Sequence, residues 1–253
     1  FYRLKAAGPA RQLVDATLDL IEDADPILRR DGERLAAVEA ERSAEAAAYF
    51  ARNAARWDEI RNLYAAESKV EAAILASAGE GDLGRLVDLG AGTGRMLTLL
   101  GGRASRALGL DLSQQMLNIA RVNVGEAGLA ACELRHGDIF ATGLPAASAD
   151  LVTVHQVLHY LGDPAAAVAE AGRLVAPSGR LLIIDFAPHA LEFLRAQHQH
   201  RRLGFSDEEI SGWLSAAGLE PRVAASLPSE GDAGLTIKIW TGRRPAAAER
   251  TAA

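Results

Sequence analysis

The residues best placed to do chemistry begin at Val87-Asp88-Leu89-Gly90-Ala91-Gly92-Thr93-Gly94-Arg95-Met96, three alternate glycines behind a carboxylate. Glycine permits a tight turn and lets a ligand come close to the backbone. A dinucleotide fingerprint, G-x-G-x-x-G, needs its third glycine at position 95, where Arg95 stands; here it comes one residue earlier, at Gly94. Asp111 closes the run Ala107-Leu108-Gly109-Leu110-Asp111, 21 residues after Gly90, where a carboxylate can accept hydrogen bonds from two ribose hydroxyls. Asp138 and Ile139 follow a third apolar run; the acid suits an adenine amino group and the isoleucine can flank the ring. Together these residues point to an adenosine-containing ligand without a pyrophosphate.

A second group of polar residues follows. His155-Gln156 closes Asp150-Leu151-Val152-Thr153-Val154-His155, and His159-Tyr160 comes within one helical turn. Histidine titrates near neutral pH, so His155 is the candidate general base or acceptor-side hydrogen-bonding group. The alternative is a histidine that caps a strand. His159 and Tyr160 line a pocket or pack. Asp185 reads as a surface carboxylate or a loop cap. The stretch from Pro188 to Arg202 holds His189, His198, His200, Arg195, Arg201 and Arg202, and reads as an acceptor-binding cap or as a solvated amphipathic helix. Histidines at these spacings without nearby cysteines make a poor metal site, and none is assigned.

The elements that must position these groups follow from periodicity. After Gly79-Glu80-Gly81-Asp82, short apolar runs alternate with helical stretches, as in βαβ units and a mainly parallel sheet. The pattern predicts strands at about 85–89, 106–111, 132–136, 150–155, 180–186, 219–225 and 235–241, with helices at about 93–102, 113–127, 164–175 and 206–217. In such a sheet the ligand crevice lies beyond the carboxyl ends of the strands.

The segment in front is helical. Leu13, Val14, Thr17, Leu18 and Ile21 fall on one helical face, and a second helical reading runs from Pro26 to about Tyr64 with a mostly polar middle. Tyr49, Phe50, Trp57, Ile60, Leu63 and Tyr64 form an aromatic-rich face, read either as packing against the next domain or as a lid over a ligand. Residues 1–80 carry 11 basic and 15 acidic side chains, which excludes a DNA-reading basic helix in this part. The opening Phe1-Tyr2-Arg3-Leu4-Lys5 reads as the end of a β-strand whose earlier part is missing.

Composition sets the outer bounds. With 49% hydrophobic and 24% charged residues, a full core is expected and wholesale disorder excluded. A net charge of −6 argues against a nucleic-acid surface spread over the whole chain. One cysteine, Cys132, excludes an internal disulfide and makes a reducing, cytoplasmic location the expectation. Apolar runs are strand-sized, so no membrane partner is expected.

In combination, Asp88-x-Gly90-x-Gly92-x-Gly94, the acid ending the second strand and Gly137-Asp138 resemble the class I S-adenosylmethionine (SAM)-dependent methyltransferases, in the broad group that includes quinone-ring methylases. Asp150 to His155 and Leu174-Val175-Ala176-Pro177-Ser178-Gly179 extend the likeness, which covers about residues 45–242. The resemblance implies an α/β fold with a Rossmann-like, seven-stranded sheet. It further implies that SAM or S-adenosylhomocysteine (SAH) is held by Asp88, Gly90, Ala91, Gly92, Gly94, Asp111, Leu112, Met116, Asp138, Ile139, His155 and Gln156. Tyr49, Trp57, His159 and Tyr160 would border the acceptor. Arsenic methyltransferases share this core but need several thiols, which Cys132 alone cannot supply.

The first 25 residues resemble the end of the wing and the dimerising helix of an ArsR-type winged-helix repressor. The expected organisation is a winged-helix end at 1–25, a helical connector and cap at 26–80, a SAM-binding domain at 81–245 and a disordered tail at 246–253. The resemblance implies a homodimer through Leu13, Val14, Leu18 and Ile21, with any DNA contact made by a segment before Phe1. Two readings follow: an enzyme that methylates a small-molecule acceptor, or a transcriptional regulator whose domain senses SAM or SAH without turnover.

Overall fold

Residues 181–184, Leu-Leu-Ile-Ile, show how the sequence builds the core. Alternate side chains of a strand point to opposite faces; Leu181 and Ile183 enter one apolar cluster, Leu182 and Ile184 another. A strand can be apolar at every position only if both faces are covered. The computed structural model describes residues 9–18, 26–54, 67–228 and 235–246. It divides into two compact units, Phe1–Glu45 and Ala46–Ala253.

The first unit contains α1 (Pro9–Leu18) and most of α2 (Pro26–Asn53). Ile21, Trp57, Ile60, Leu63 and Tyr64, singled out above, lie outside the described residues.

The second unit opens with α3 (Glu67–Ala78), which periodicity does not single out. Its contrast between faces is weak because alanine dominates, yet Val70, Ile74 and Ala78, one turn apart, are buried. The remaining order is β1 (Arg85–Leu89), α4 (Arg95–Leu100), β2 (Arg106–Asp111), α5 (Gln114–Glu126), β3 (Cys132–His136), β4 (Ala149–His155), α6 (Pro164–Leu174), β5 (Val175–Phe186), α7 (Phe193–His198), α8 (Asp207–Ala216), β6 (Glu220–Pro228) and β7 (Thr236–Arg243). The sheet runs β3-β2-β1-β4-β5-β7-β6. Its first five strands are parallel, and β7 is antiparallel to both neighbours. This is the expected Rossmann-like, seven-stranded α/β sheet.

Local chemistry explains the helix starts. Asp163 caps α6 by accepting the Ala166 N–H, with Pro164 at the first helical position. Ser206 and Glu209 form a reciprocal capping box on α8, and Asp207, Glu208 and Glu209 fill its first turn. The helix after the glycine loop starts two residues later than expected, because Gly94 holds a left-handed backbone at φ 84°. One face of the sheet packs against α6 and α8, the other against α3 and α4. No helix among the described residues is long and apolar enough to cross a membrane.

Ile183 is fully buried in the central strand β5. Ile183→Ala is expected to lower unfolding free energy by about 2–5 kcal/mol, from lost transfer energy plus a cavity, read from urea titration.

Candidate functional site

The parallel strands β1 and β2 end side by side, and each ends in or next to an acid. Asp88 is 1% exposed, and its Oδ1 accepts a 2.6 Å hydrogen bond from Thr153 Oγ1 on β4. Asp88 and Thr153 are register partners across the β1–β4 pair. Burial pushes the Asp88 pKa up to about 7; the Thr153 hydrogen bond opposes the shift and the nearby Asp111 carboxylate adds to it.

The glycine loop leaves β1 with Gly90, Gly92 and Gly94 all at positive φ, 73°, 52° and 84°. A Cβ at Gly90 would drive into Val157 Cγ2, so this glycine is also required by the close pass of the loop after β4. The backbone N–H groups of Gly90 and Ala91 both donate to Leu110 O, at 2.8 and 2.9 Å, which ties the loop to the end of β2.

Asp111 completes the arrangement. Its Oδ2 accepts the Gly92 N–H at 2.7 Å and its Oδ1 the Ser113 N–H at 2.7 Å. Burial raises its pKa, against those two hydrogen bonds and the nearby His136. A carboxylate has about four lone-pair sites, so each oxygen keeps one for a ligand donor. Among the described residues neither Asp88 nor Asp111 forms a salt bridge. A buried and a half-buried carboxylate beside the glycine loop suit a ligand with donors and positive charge.

The other expected cofactor residues surround this group at different depths. Ala91 is buried in the loop and Ile139 in the core, while Asp138 turns its Oδ1 to the Phe140 N–H at 2.9 Å. Leu112 is 56% exposed. Met116 is buried on the first turn of α5, where its N–H reaches the capping Ser113 hydroxyl. His155 is half-buried at the end of β4. Gln156 follows with a left-handed backbone, φ 53°, and its N–H donates to Ile184 O at 2.7 Å.

The acceptor-side candidates divide. Trp57 lies outside the described residues. Tyr49 is buried, and its hydroxyl meets His198 Nδ1 at 2.8 Å. His159 and Tyr160 sit on a short 3₁₀ turn, Leu158–Tyr160, just past β4. His159 is buried and pairs through Nδ1 with Asp185 Oδ1 at 2.7 Å.

Asp185 is fully buried, which corrects its reading as a surface carboxylate; as a cap it accepts the His159 N–H of the turn after β4 at 3.4 Å. The sequence held one signal, an acid one residue before Phe186 at the end of an otherwise apolar strand. Thr153 and Val157, the partners of Asp88 and Gly90, carried none. Among the described residues no group of three His, Cys, Asp or Glu side chains could hold a metal ion.

Comparison with known proteins bears on the family and the fold that carry this site. The family model described as "Methyltransferase domain" matches residues 87–183, from β1 into β5. A demethylmenaquinone methyltransferase of Thermus thermophilus is 32% identical over 152 residues, covering 57% of this chain and 68% of that protein. A ubiquinone biosynthesis O-methyltransferase of Ralstonia nicotianae is 30% identical over 154 residues, covering 54% of this chain and 63% of that protein. The chain thus spans less than two thirds of the Ralstonia protein. A Haemonchus contortus phosphoethanolamine N-methyltransferase 2, solved with SAM, superposes with a TM-score of 0.60 at 16% identity over 70% of this chain and 52% of that one. The chain belongs to the class I SAM-dependent methyltransferases.

Asp88 gives this site a pH signature. Its native pKa of about 7 stands above the usual unfolded value near 4, so the native state holds a proton that the unfolded state has lost. Stability should therefore be highest below about pH 4 with respect to this group, and fall as pH rises towards about 7. Asp88→Asn is expected to flatten that slope in urea titrations between pH 4 and pH 8; an unchanged slope would place the effect elsewhere.

Proposed function

We propose that this chain binds SAM at the carboxyl ends of β1 and β2 and transfers its methyl group to a small, quinone-like acceptor. The observation that carries this reading is the pair of carboxylates, buried Asp88 and half-buried Asp111, beside a loop shaped by three positive-φ glycines. Their chemistry fits the cofactor. SAM carries an ammonium and a sulfonium, and positive charge beside Asp88 offsets the desolvation that raises its pKa. Ribose hydroxyls are donors for the free lone pairs of Asp111. Asp138 and Ile139 are assigned to the adenine, with Leu112 and Met116 at the rim, and Gly90, Ala91, Gly92 and Gly94 to the amino-acid end. His155 and Gln156 are assigned to the methyl side.

When bound, SAM supplies an electrophilic methyl group on sulfur. Methyl transfer is an in-line displacement, so the chain's part is to orient the two reactants and exclude water. The left-handed Gln156 serves that purpose. It turns the backbone sharply between His155 and Val157, so that Val157 packs over Gly90 and His159 lies beyond it. His155, half-buried at the strand end, is assigned to the acceptor as a hydrogen-bonding group or general base. The named activities of the Thermus and Ralstonia relatives support a quinone-like ring as acceptor.

The N-terminal reading, a dimerising helix at the end of an ArsR-type module, has one supporting observation: Leu13 on α1 is 70% exposed. An exposed apolar side chain on an amphipathic helix suits a second copy of this chain.

Asp111→Ala is expected to weaken SAM and SAH binding by about 1–3 kcal/mol through lost charge-assisted hydrogen bonds, measured by calorimetric titration. Unchanged affinity would remove the ribose role, and no binding of either compound by the unmodified chain would overturn the proposed function.

A further inference from the structure

Between β5 and α8 the chain makes a closed loop, residues 187–204, whose two ends are tied together. The His189 N–H donates to Leu203 O at 3.0 Å, and the Phe205 N–H to Phe186 O at 2.9 Å. Gly204 sits at this neck with φ 83°, and a Cβ there would run into Ala187 O, so the ends pass too closely for any other residue. A compact loop with adjacent ends can leave its seat as a unit while the elements it joins stay in place. The seat is specific. Leu194 is fully buried in the apolar cluster that holds Phe186. The Arg201 and Arg202 N–H groups donate to His159 O, on the turn after β4, at 2.8 and 3.1 Å. His198 Nδ1 meets the Tyr49 hydroxyl at 2.8 Å. The His200 ring lies 4.2 Å from that of His159 and stacks on Phe186 at 5.8 Å and 23°, while His189 meets Phe186 edge-on at 5.9 Å.

These imidazoles fit the seat only while they are uncharged. His200 is 4% exposed, and His200 Nδ1 and His189 Nε2 are buried without a hydrogen-bond partner among the described residues. A proton added to either ring would bury a charge, which is costly unless a partner compensates it. Around His200 stand His159, His189, His198 and Arg195, and each opposes a positive charge there. Around His189, His159 and Arg195 oppose the charge and Asp185 and Glu192 favour it. Both carboxylates are already engaged: Asp185 by His159 Nδ1 and two backbone N–H groups, Glu192 by Arg195 Nε at 3.1 Å. Tyr160 packs against His159 and His200, and Tyr49 faces His198. Burial accordingly pushes the His200 pKa down to about 2 and lowers those of His189 and His198. In solvent all three regain the ordinary value near 6.5. The released loop thus binds more protons than the seated one, so seating is fully favourable above about pH 6.5 and weakens as pH falls below it.

We propose that residues 187–204 form an acid-released strap, closed at neutral pH by uncharged His189, His198 and His200 and opened by their protonation with the sheet left intact. Release withdraws two N–H donors from His159 O and the His198 contact from Tyr49, so acid reaches both the turn after β4 and the end of α2. The strap stands apart from the cofactor, since none of these groups belongs to the glycine loop.

The test is amide hydrogen exchange of the full chain, read by mass spectrometry on peptides covering 190–202 and 181–184. Rates are taken from about pH 7.5 to about pH 4.5 and divided by the intrinsic amide rate at each pH. Protection of 190–202 is expected to stay level above about pH 6.5 and to fall at least about tenfold per pH unit below it, while 181–184 stays protected. His200→Phe keeps a ring against Phe186 and cannot take a proton, and should make that fall shallower by about tenfold per pH unit. Lost packing alone would shift protection equally at every pH and leave the slope as it was. His189→Asn keeps an acceptor for the Leu191 N–H, which His189 Nδ1 accepts at 3.3 Å, and should also flatten the slope just below pH 6.5. Protection of 190–202 that ignores pH, a slope unchanged in either variant, or an equal loss of protection at 181–184 would each overturn the strap.

Discussion

A parallel sheet covered by helices on both faces has one place for polar chemistry, the ends of its strands. Along β1, β4 and β5 almost every side chain is out of water, and the backbone is satisfied by neighbouring strands. A carboxylate or imidazole placed mid-strand would lack both solvent and partner. At the carboxyl ends the ladder stops, the chain turns, and backbone N–H groups become free to hold acids. Asp88, Asp111 and Asp185 all stand at or beside such ends, on three different strands.

These three acids solve the burial problem in different ways. Asp111 is held by two backbone N–H groups, Asp185 by a histidine and two backbone N–H groups, and Asp88 by a single threonine hydroxyl. The least satisfied of them, Asp88, is the one whose pKa rises to about 7. Burial without a compensating partner stores free energy that a cationic ligand can release.

The histidine group beyond β4 and β5 follows the same logic with the opposite sign of proton affinity. Burial keeps His189 and His200 uncharged, which turns them from cations into hydrogen-bonding surfaces set among aromatic rings. The Gly90–Val157 contact joins the two regions, since the loop that carries Val157 also carries His159. Packing thereby fixes the two regions relative to one another.

The order of strands and helices, the glycine loop, and the acids at the ends of β1 and β2 could be read in the sequence, because each is written in local periodicity or spacing. The helix α3 escaped because alanine gives it little contrast between its faces. What only the tertiary structure decided are the pairings across distance. Thr153 meets Asp88 from 65 residues away, Asp185 meets His159 from 26, and Tyr49 meets His198 from 149. The depth of burial that makes Asp185 a partner rather than a surface charge, and leaves His200 uncharged, has no local signal either. Local spacing determines which groups a chain carries; desolvation and partner geometry, which set their protonation and their use, exist only once the sheet has closed around them.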